Sequence, residues 1–196
     1  LRTQGRCLGV LAVTLLASGC VARPRLLPAG PFTREQPELP PGGPTPAPEL
    51  YTVSQVYDGD TLQVLMQGRR VQVRLQGVNS PEKPNPYRAE ECFGPQSTAF
   101  AHAVLDGRAV MLASDPTQDD EDRFGRKLRY VWTDDGRFFN LALLREGYAY
   151  EYTYDQPYQY QAAFKTEEAT ARDGNKGLWS PQTCAGQRSA PPASIP

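Results

Sequence analysis

The chain has 196 residues, room for one ordinary domain with appendages. Hydrophobic residues make up 39%, so a modest core forms only if it is confined to part of the chain. The formal net charge of −1 points to no polyanionic partner by bulk charge alone.

The first twenty residues, "LRTQGRCLGVLAVTLLASGC", read as an export signal. Arg2 and Arg6 form a positive start, and Cys7 to Ala17 form an apolar run of eleven, too short to span a membrane, which takes about 20 apolar residues. The run ends in "LLASGC", which resembles the lipobox of bacterial lipoproteins, with Ala17 where that pattern usually has Leu, Val or Ile. Cleavage there would leave Cys20 N-terminal and lipidated; the other reading is an ordinary cleaved signal peptide. The chain is expected to be exported, either as a membrane-anchored lipoprotein or as a secreted protein. Cys92 and Cys184 then remain as one pair in an oxidising compartment, which predicts a disulfide. It would close a loop of about 90 residues, contributing about 4–5 kcal/mol on the chain-entropy model.

Residues 21–50 hold nine of the nineteen prolines and read as an extended spacer. The tail 185–196, "AGQRSAPPASIP", reads as unstructured. The folded unit is expected over 51–184. Within it "YTVSQVY", "TLQVLMQ" and "RRVQVRLQGV" alternate apolar and polar residues, as half-buried strands do. "GPQSTAFAHAVLDG" has helical spacing, ended by Gly107. "AVMLAS" and "KLRYVWT" read as strands flanking the charged loop "DPTQDDEDRFGR". "FFNLALLREG" reads as a short helix, and a last helix spans about Tyr158 to Arg172. The order β-β-β-α-β-β-α-α with short strands suits a small barrel rather than a parallel α/β sheet.

Charged and oxygen-bearing side chains gather at the strand ends. "DGDT" carries Asp58 and Asp60; "RLQGVNSPE" carries Arg74, Asn79, Ser80 and Glu82; "DRFGR" carries Arg126. Each alone has an ordinary reading: "DGD" is a common hairpin turn, "SPE" can begin a helix, and an arginine at a strand end is usually solvated.

Together they resemble the staphylococcal nuclease (thermonuclease-like) family. The similarity runs from about Tyr51 to Trp179, through "DGDT", "RLQGVNSPE", "CFGPQS", "DRFGRKLRYV", "DGRFFNLALLREGYA" and "GLW" in order. The resemblance implies an α+β, mainly β architecture: an OB-fold barrel of five strands with three helices. It also implies calcium-dependent hydrolysis of DNA, single- or double-stranded, and of RNA, leaving 3′-phosphate ends.

A phosphodiester repels nucleophiles, and hydrolysis adds charge at phosphorus, so catalysis needs cations where that charge grows and a base for water. By resemblance, Arg74 and Arg126 match the two guanidinium positions that clamp phosphate, where each planar fork can donate two hydrogen bonds. Glu82 matches the general base, and Pro81 before it restricts the backbone. Asp60, Asn79 and the Ser80 backbone carbonyl match the calcium ligands, oxygen donors suited to a hard ion. Asp58 stands behind them.

Three positions depart from the family's pattern. Asn79 replaces an aspartate, which removes one negative charge and predicts weaker calcium binding or tolerance of another divalent ion. Ser80 replaces a threonine, without consequence if only the carbonyl binds. Phe124 replaces a tyrosine beside the phosphate-contacting loop, keeping the ring and losing the hydroxyl. In the tyrosine-rich run "YAYEYTYDQPYQY", Tyr154 matches a nucleotide-contacting position; the alternative is that these tyrosines form a strand and pack on the last helix.

Residues 51–184 contain 15 Lys+Arg and 19 Asp+Glu, an acidic balance unlike that of tight nucleic-acid binders. This predicts a low-affinity turnover enzyme rather than a coating protein; the chain is expected to be a monomer. The rival reading is a catalytically weak or inactive OB-fold nucleic-acid-binding module. "DDED", Asp119 to Asp122, reads as a solvated loop, and His102 as a surface or packed side chain.

Overall fold

A computed structural model describes residues 43–84, 86 and 89–189. The export segment 1–20 with Cys20, the spacer up to residue 42 and the tail from residue 190 lie outside the described residues.

The alternation read from the sequence sends one face of each strand into a common core. β1 (Tyr51–Val56), β2 (Thr61–Met66) and β3 (Arg69–Leu75) form an antiparallel meander. Val53, Leu62, Val64, Val73 and Leu75 are buried inward. After the helix α1 (Gly94–Leu105), β5 (Ala109–Ala113) and β6 (Lys127–Thr133) complete the wall. Among the described residues these five strands close a barrel in the order β1-β2-β3-β6-β5, as the sequence implied. Three helices accompany it: α1, α2 (Phe139–Arg145) and α3 (Gln161–Asp173). Tyr130, Phe138 and Phe164, all buried, pack edge-on or tilted beneath α2 and α3.

The third strand departs from the expected run. "RRVQVRLQGV" does not continue to Val78; it stops at Leu75. The chain bends at Gln76 and Gly77, and Gly77 has φ +76°. A Cβ at Gly77 would also lie 2.6 Å from the Tyr158 ring, so the bend needs glycine for conformation and for space. Beyond it, β4 (Val78–Asn79) pairs with β7 (Tyr150–Glu151) in a separate two-stranded sheet. Asn140, fully buried, fastens the bend: its Oδ1 accepts the Val131 N–H at 2.9 Å and its Nδ2 donates to the Gln76 carbonyl at 2.9 Å.

α3 begins at Gln161 rather than near Tyr158, because Tyr158 and Tyr160 turn inward to bury their rings. The Tyr160 hydroxyl donates to the Pro44 carbonyl at 2.8 Å, and a Cβ on Gly43 would meet the Tyr160 ring at 2.3 Å. At the other end, the Arg188 carbonyl accepts the Cys92 N–H at 2.7 Å. The packed chain thus extends past 51–184 on both sides: the end of the spacer and the residues just after Cys184 lie against the domain. Cys92 and Cys184 are joined in a disulfide with their Cα atoms 5.8 Å apart. Among the described residues no helix is long and apolar enough to cross a membrane.

Candidate active site

The β1–β2 turn and the bend after β3 are brought together by Asp60, which is buried where β2 begins. Its Oδ2 accepts the Ser80 backbone N–H at 2.6 Å and lies 3.2 Å from Nη2 of Arg74. Its Oδ1 accepts the Thr61 hydroxyl at 3.1 Å. Gly59 makes room for this approach, since a Cβ there would sit 2.1 Å from the Ser97 hydroxyl oxygen and 2.6 Å from the Ser80 Cβ.

Arg74 lies at the centre. Its Nη1 donates to the Leu75 and Val78 carbonyls, both at 2.7 Å, and its Nη2 donates to Asn79 Oδ1 at 3.1 Å. The guanidinium therefore braces the bend as well as facing the acidic pocket. One nitrogen reaches both Asp60 and Asn79, so the structure brings together Asp60, Arg74, Asn79 and Ser80, four of the residues read from the sequence.

Asp58 stands behind them, its Oδ1 accepting the Asp60 N–H at 3.1 Å. Burial pushes the Asp58 carboxyl up to about 7, and the Asp60 charge adds to the rise. Glu82 raises it further, against the opposing pull of the Asp60 N–H and Arg74. Glu82 is thus near enough to the pocket for its charge to be felt there. It is half-buried, and its backbone is held by Glu91 and by the start of α1.

Arg126 is the residue just before β6. In the parallel β3–β6 register Arg74 lies opposite Leu128, two residues along from Arg126. Its guanidinium is held by Asp122, with Nε at 2.7 Å and Nη2 at 2.6 Å from Oδ2. Asp122 Oδ1 also accepts the Phe124 and Arg126 N–H groups at 2.9 and 3.0 Å, which folds the turn carrying both. Those hydrogen bonds outweigh the burial that would raise the Asp122 carboxyl, and hold it below its ordinary value.

Asp119, Asp120 and Glu121 of the acidic run beside it are exposed, in keeping with the solvated loop expected from the sequence, and three of its acids also form ion pairs. Asp120 pairs with Lys127 and Arg129, Glu121 with Lys127, and Asp122 with Arg126. Arg126, Lys127 and Arg129 are thus partnered by acids of the preceding loop. His102 is a surface side chain, its Nδ1 2.8 Å from Asp106.

Two aromatic positions stay open. Phe124 is 68% exposed, with the Arg123 and Arg126 guanidinium carbons 4.7 and 5.5 Å from its ring centre. Tyr154 is 78% exposed, and its ring lies 6.4 Å from that of Tyr152. Of the other tyrosines of the run, Tyr150 is in β7, Tyr158 and Tyr160 are buried, Tyr148 is half-buried and Tyr152 is exposed.

Among the described residues no group of three or more His, Cys, Asp or Glu side chains gathers as a metal cage. The donors at the bend are one carboxylate (Asp60), one amide oxygen (Asn79) and the main chain of Ser80. All are hard oxygens, with the Asp58 carboxyl close behind Asp60. That chemistry fits a hard divalent cation with most of its shell left to water or substrate.

Asn140 and Glu91 are contributors that motif reading missed. Neither has a motif spacing, since each acts on the site through backbone groups distant in sequence.

The family described as "Staphylococcal nuclease homologue" matches residues 72–181. The chain is 33% identical to the thermonuclease of Staphylococcus hyicus over 132 residues, which cover 67% of this chain and 76% of that one. It is 31% identical to the thermonuclease of Staphylococcus intermedius over 131 residues, covering 67% and 76% of the two chains. It is also 31% identical to an uncharacterized endonuclease of Escherichia coli O157:H7 over 128 residues, covering 65% and 75%. With the five-stranded barrel and the gathering of Asp60, Arg74, Asn79 and Ser80, these matches establish that the chain belongs to the staphylococcal nuclease homologue family.

Proposed function

We propose that this protein is a metal-dependent nuclease that hydrolyses phosphodiester bonds of DNA and RNA to 3′-phosphate products. The observation that supports it most is the meeting of Asp60 and Asn79 on one nitrogen of Arg74, with the Ser80 main chain bound to the same Asp60.

Calcium is the ion that the donor set and the resemblance favour, held by Asp60, Asn79 and the Ser80 carbonyl, with another divalent ion admitted by the low ligand charge. When bound, such an ion supplies positive charge that offsets the growing charge on the phosphate oxygens. Glu82, as general base, takes a proton from the water that attacks phosphorus in line with the leaving 5′-oxygen. The bond to that oxygen breaks, and the phosphate stays on the 3′ side. Arg126 and Arg74 donate to the non-bridging oxygens as their charge rises. In the free protein Arg126 is occupied by Asp122, so phosphate competes with a carboxylate for the same fork. That competition, with the pairing of Lys127 and Arg129, favours weak ground-state binding and turnover over coating of a strand. Phe124 and Tyr154 offer exposed rings on which bases stack without sequence preference.

The same pairing of basic groups is what favours the rival, a binding module with weak or no catalysis. Digestion of single-stranded DNA and of RNA, with calcium and then with chelator, separates the two. Metal-dependent products ending in 3′-phosphate support the nuclease; binding that ignores metal, with no products, supports the module. Export as a lipoprotein through Cys20 or as a secreted monomer belongs to the same proposal and fits the Cys92–Cys184 disulfide.

A further inference from the structure

Glu82 lies on a stretch between β4 and α1 whose described residues belong to no strand or helix, so no ladder fixes its backbone. Its main chain is fixed by Glu91 instead. The Glu82 N–H donates to Glu91 Oε2 at 3.1 Å, and the Glu91 N–H donates back to the Glu82 carbonyl at 2.9 Å. On the other side the start of α1 closes in, since a Cβ on Gly94 would lie 2.2 Å from the Glu82 carbonyl oxygen.

Glu91 is in turn held from the C-terminal end. Its Oε2 accepts Nη1 of Arg188 at 2.8 Å. Arg188 lies 4.4 Å over the Tyr150 ring, and its carbonyl accepts the Cys92 N–H at 2.7 Å. Cys92, the neighbour of Glu91, is bonded to Cys184, four residues before Arg188. One side-chain oxygen of Glu91 therefore receives both the main chain of Glu82 and the C-terminal arginine.

We infer that Glu91 is a positioning residue for Glu82, and that the Cys92–Cys184 disulfide with Arg188 forms a C-terminal clamp that keeps Glu91 in place. The inference rests on the nuclease reading, in which Glu82 is the base. Its physical basis is the sensitivity of proton transfer to placement: a misplacement of about 1 Å can cost about 10²-fold in rate. A Glu91 that merely tethers the C-terminal segment would affect melting and leave the turnover of the folded enzyme alone.

The test is steady-state cleavage of a single-stranded DNA oligonucleotide in calcium, with thermal melting, for wild type and for E91A, E91Q, R188Q and the double variant C92S/C184S. E91A is expected to lower kcat about tenfold or more, with KM changed less than about twofold. E91Q keeps an acceptor for the Glu82 N–H and should retain most of kcat, while R188Q and C92S/C184S fall between. If E91A is folded at the assay temperature and turns over like wild type, the inference is overturned. If E91A is unfolded there, R188Q decides by the same criterion. Wild type that cleaves while every folded variant keeps its kcat overturns this inference alone; wild type that does not cleave overturns the nuclease reading beneath it.

Discussion

Asp60 and Ser80, twenty positions apart, are joined by a 2.6 Å hydrogen bond from the Ser80 backbone N–H to the Asp60 carboxylate. This contact carries the bend after β3 onto the turn before β2, and Arg74 closes it from the strand side at 3.2 Å. Structural and proposed ligand roles fall on the same buried side chain.

Removing that carboxylate strands Arg74 among carbonyls with its nearest charge gone. Asp60→Ala is expected to lower stability by about 3 kcal/mol, as for a buried pair broken on one side. Urea unfolding in chelator reads this without the metal contribution, and an unchanged midpoint would contradict the account.

Asn79 is where ligand charge can be restored. Asn79→Asp puts a carboxylate beside Nη2 of Arg74 and next to Asp60, so calcium affinity should rise at least about threefold. Activity titrated against free calcium measures it. A half-saturating concentration that stays put would show that position 79 lies outside the ion's shell.

Asn140 holds the bend from inside the core. Asn140→Ala would leave the buried Val131 N–H and Gln76 carbonyl short of a partner each, costing about 2–4 kcal/mol. The m-value in urea should not change while the midpoint falls.

Much of this architecture was legible because it rests on period. The meander from Tyr51 alternates, and the buried Val53, Leu62, Val64, Val73 and Leu75 are the residues that alternation selects. Asp60, Arg74, Asn79 and Ser80 could be read as one set only through the family resemblance that "DGDT" and "RLQGVNSPE" help to carry. What escaped depends on backbone groups meeting far along the chain. Gly77 breaks the third strand through a positive φ and the nearness of Tyr158, neither visible in an apolar-polar pattern. The ion pairs of "DDED" were out of reach too, because Arg126, Lys127 and Arg129 become its neighbours only once the loop folds back on β6.

Asp115 gives the acid side of the stability curve. Burial raises its carboxyl, but hydrogen bonds from Thr117, Tyr130 and the Gln159 N–H outweigh that and leave it lowered. A depressed carboxyl contributes stability that is present above the unfolded value, about 3.9, and lost as pH falls through the folded one. Asp115→Asn should therefore be less stable at neutral pH, with the difference from wild type shrinking toward pH 2–3. A gap that stays constant across that range would contradict the assignment.

In the proposed nuclease, Glu82 supplies the base for a reaction centred on Asp60 and Arg74. Single-turnover cleavage of single-stranded DNA in saturating calcium, comparing wild type with Glu82→Gln at matched folded fraction, tests it most directly. The variant should lose about 10²–10⁴-fold in rate while keeping its binding of the oligonucleotide. A variant that cleaves as fast as wild type would contradict it.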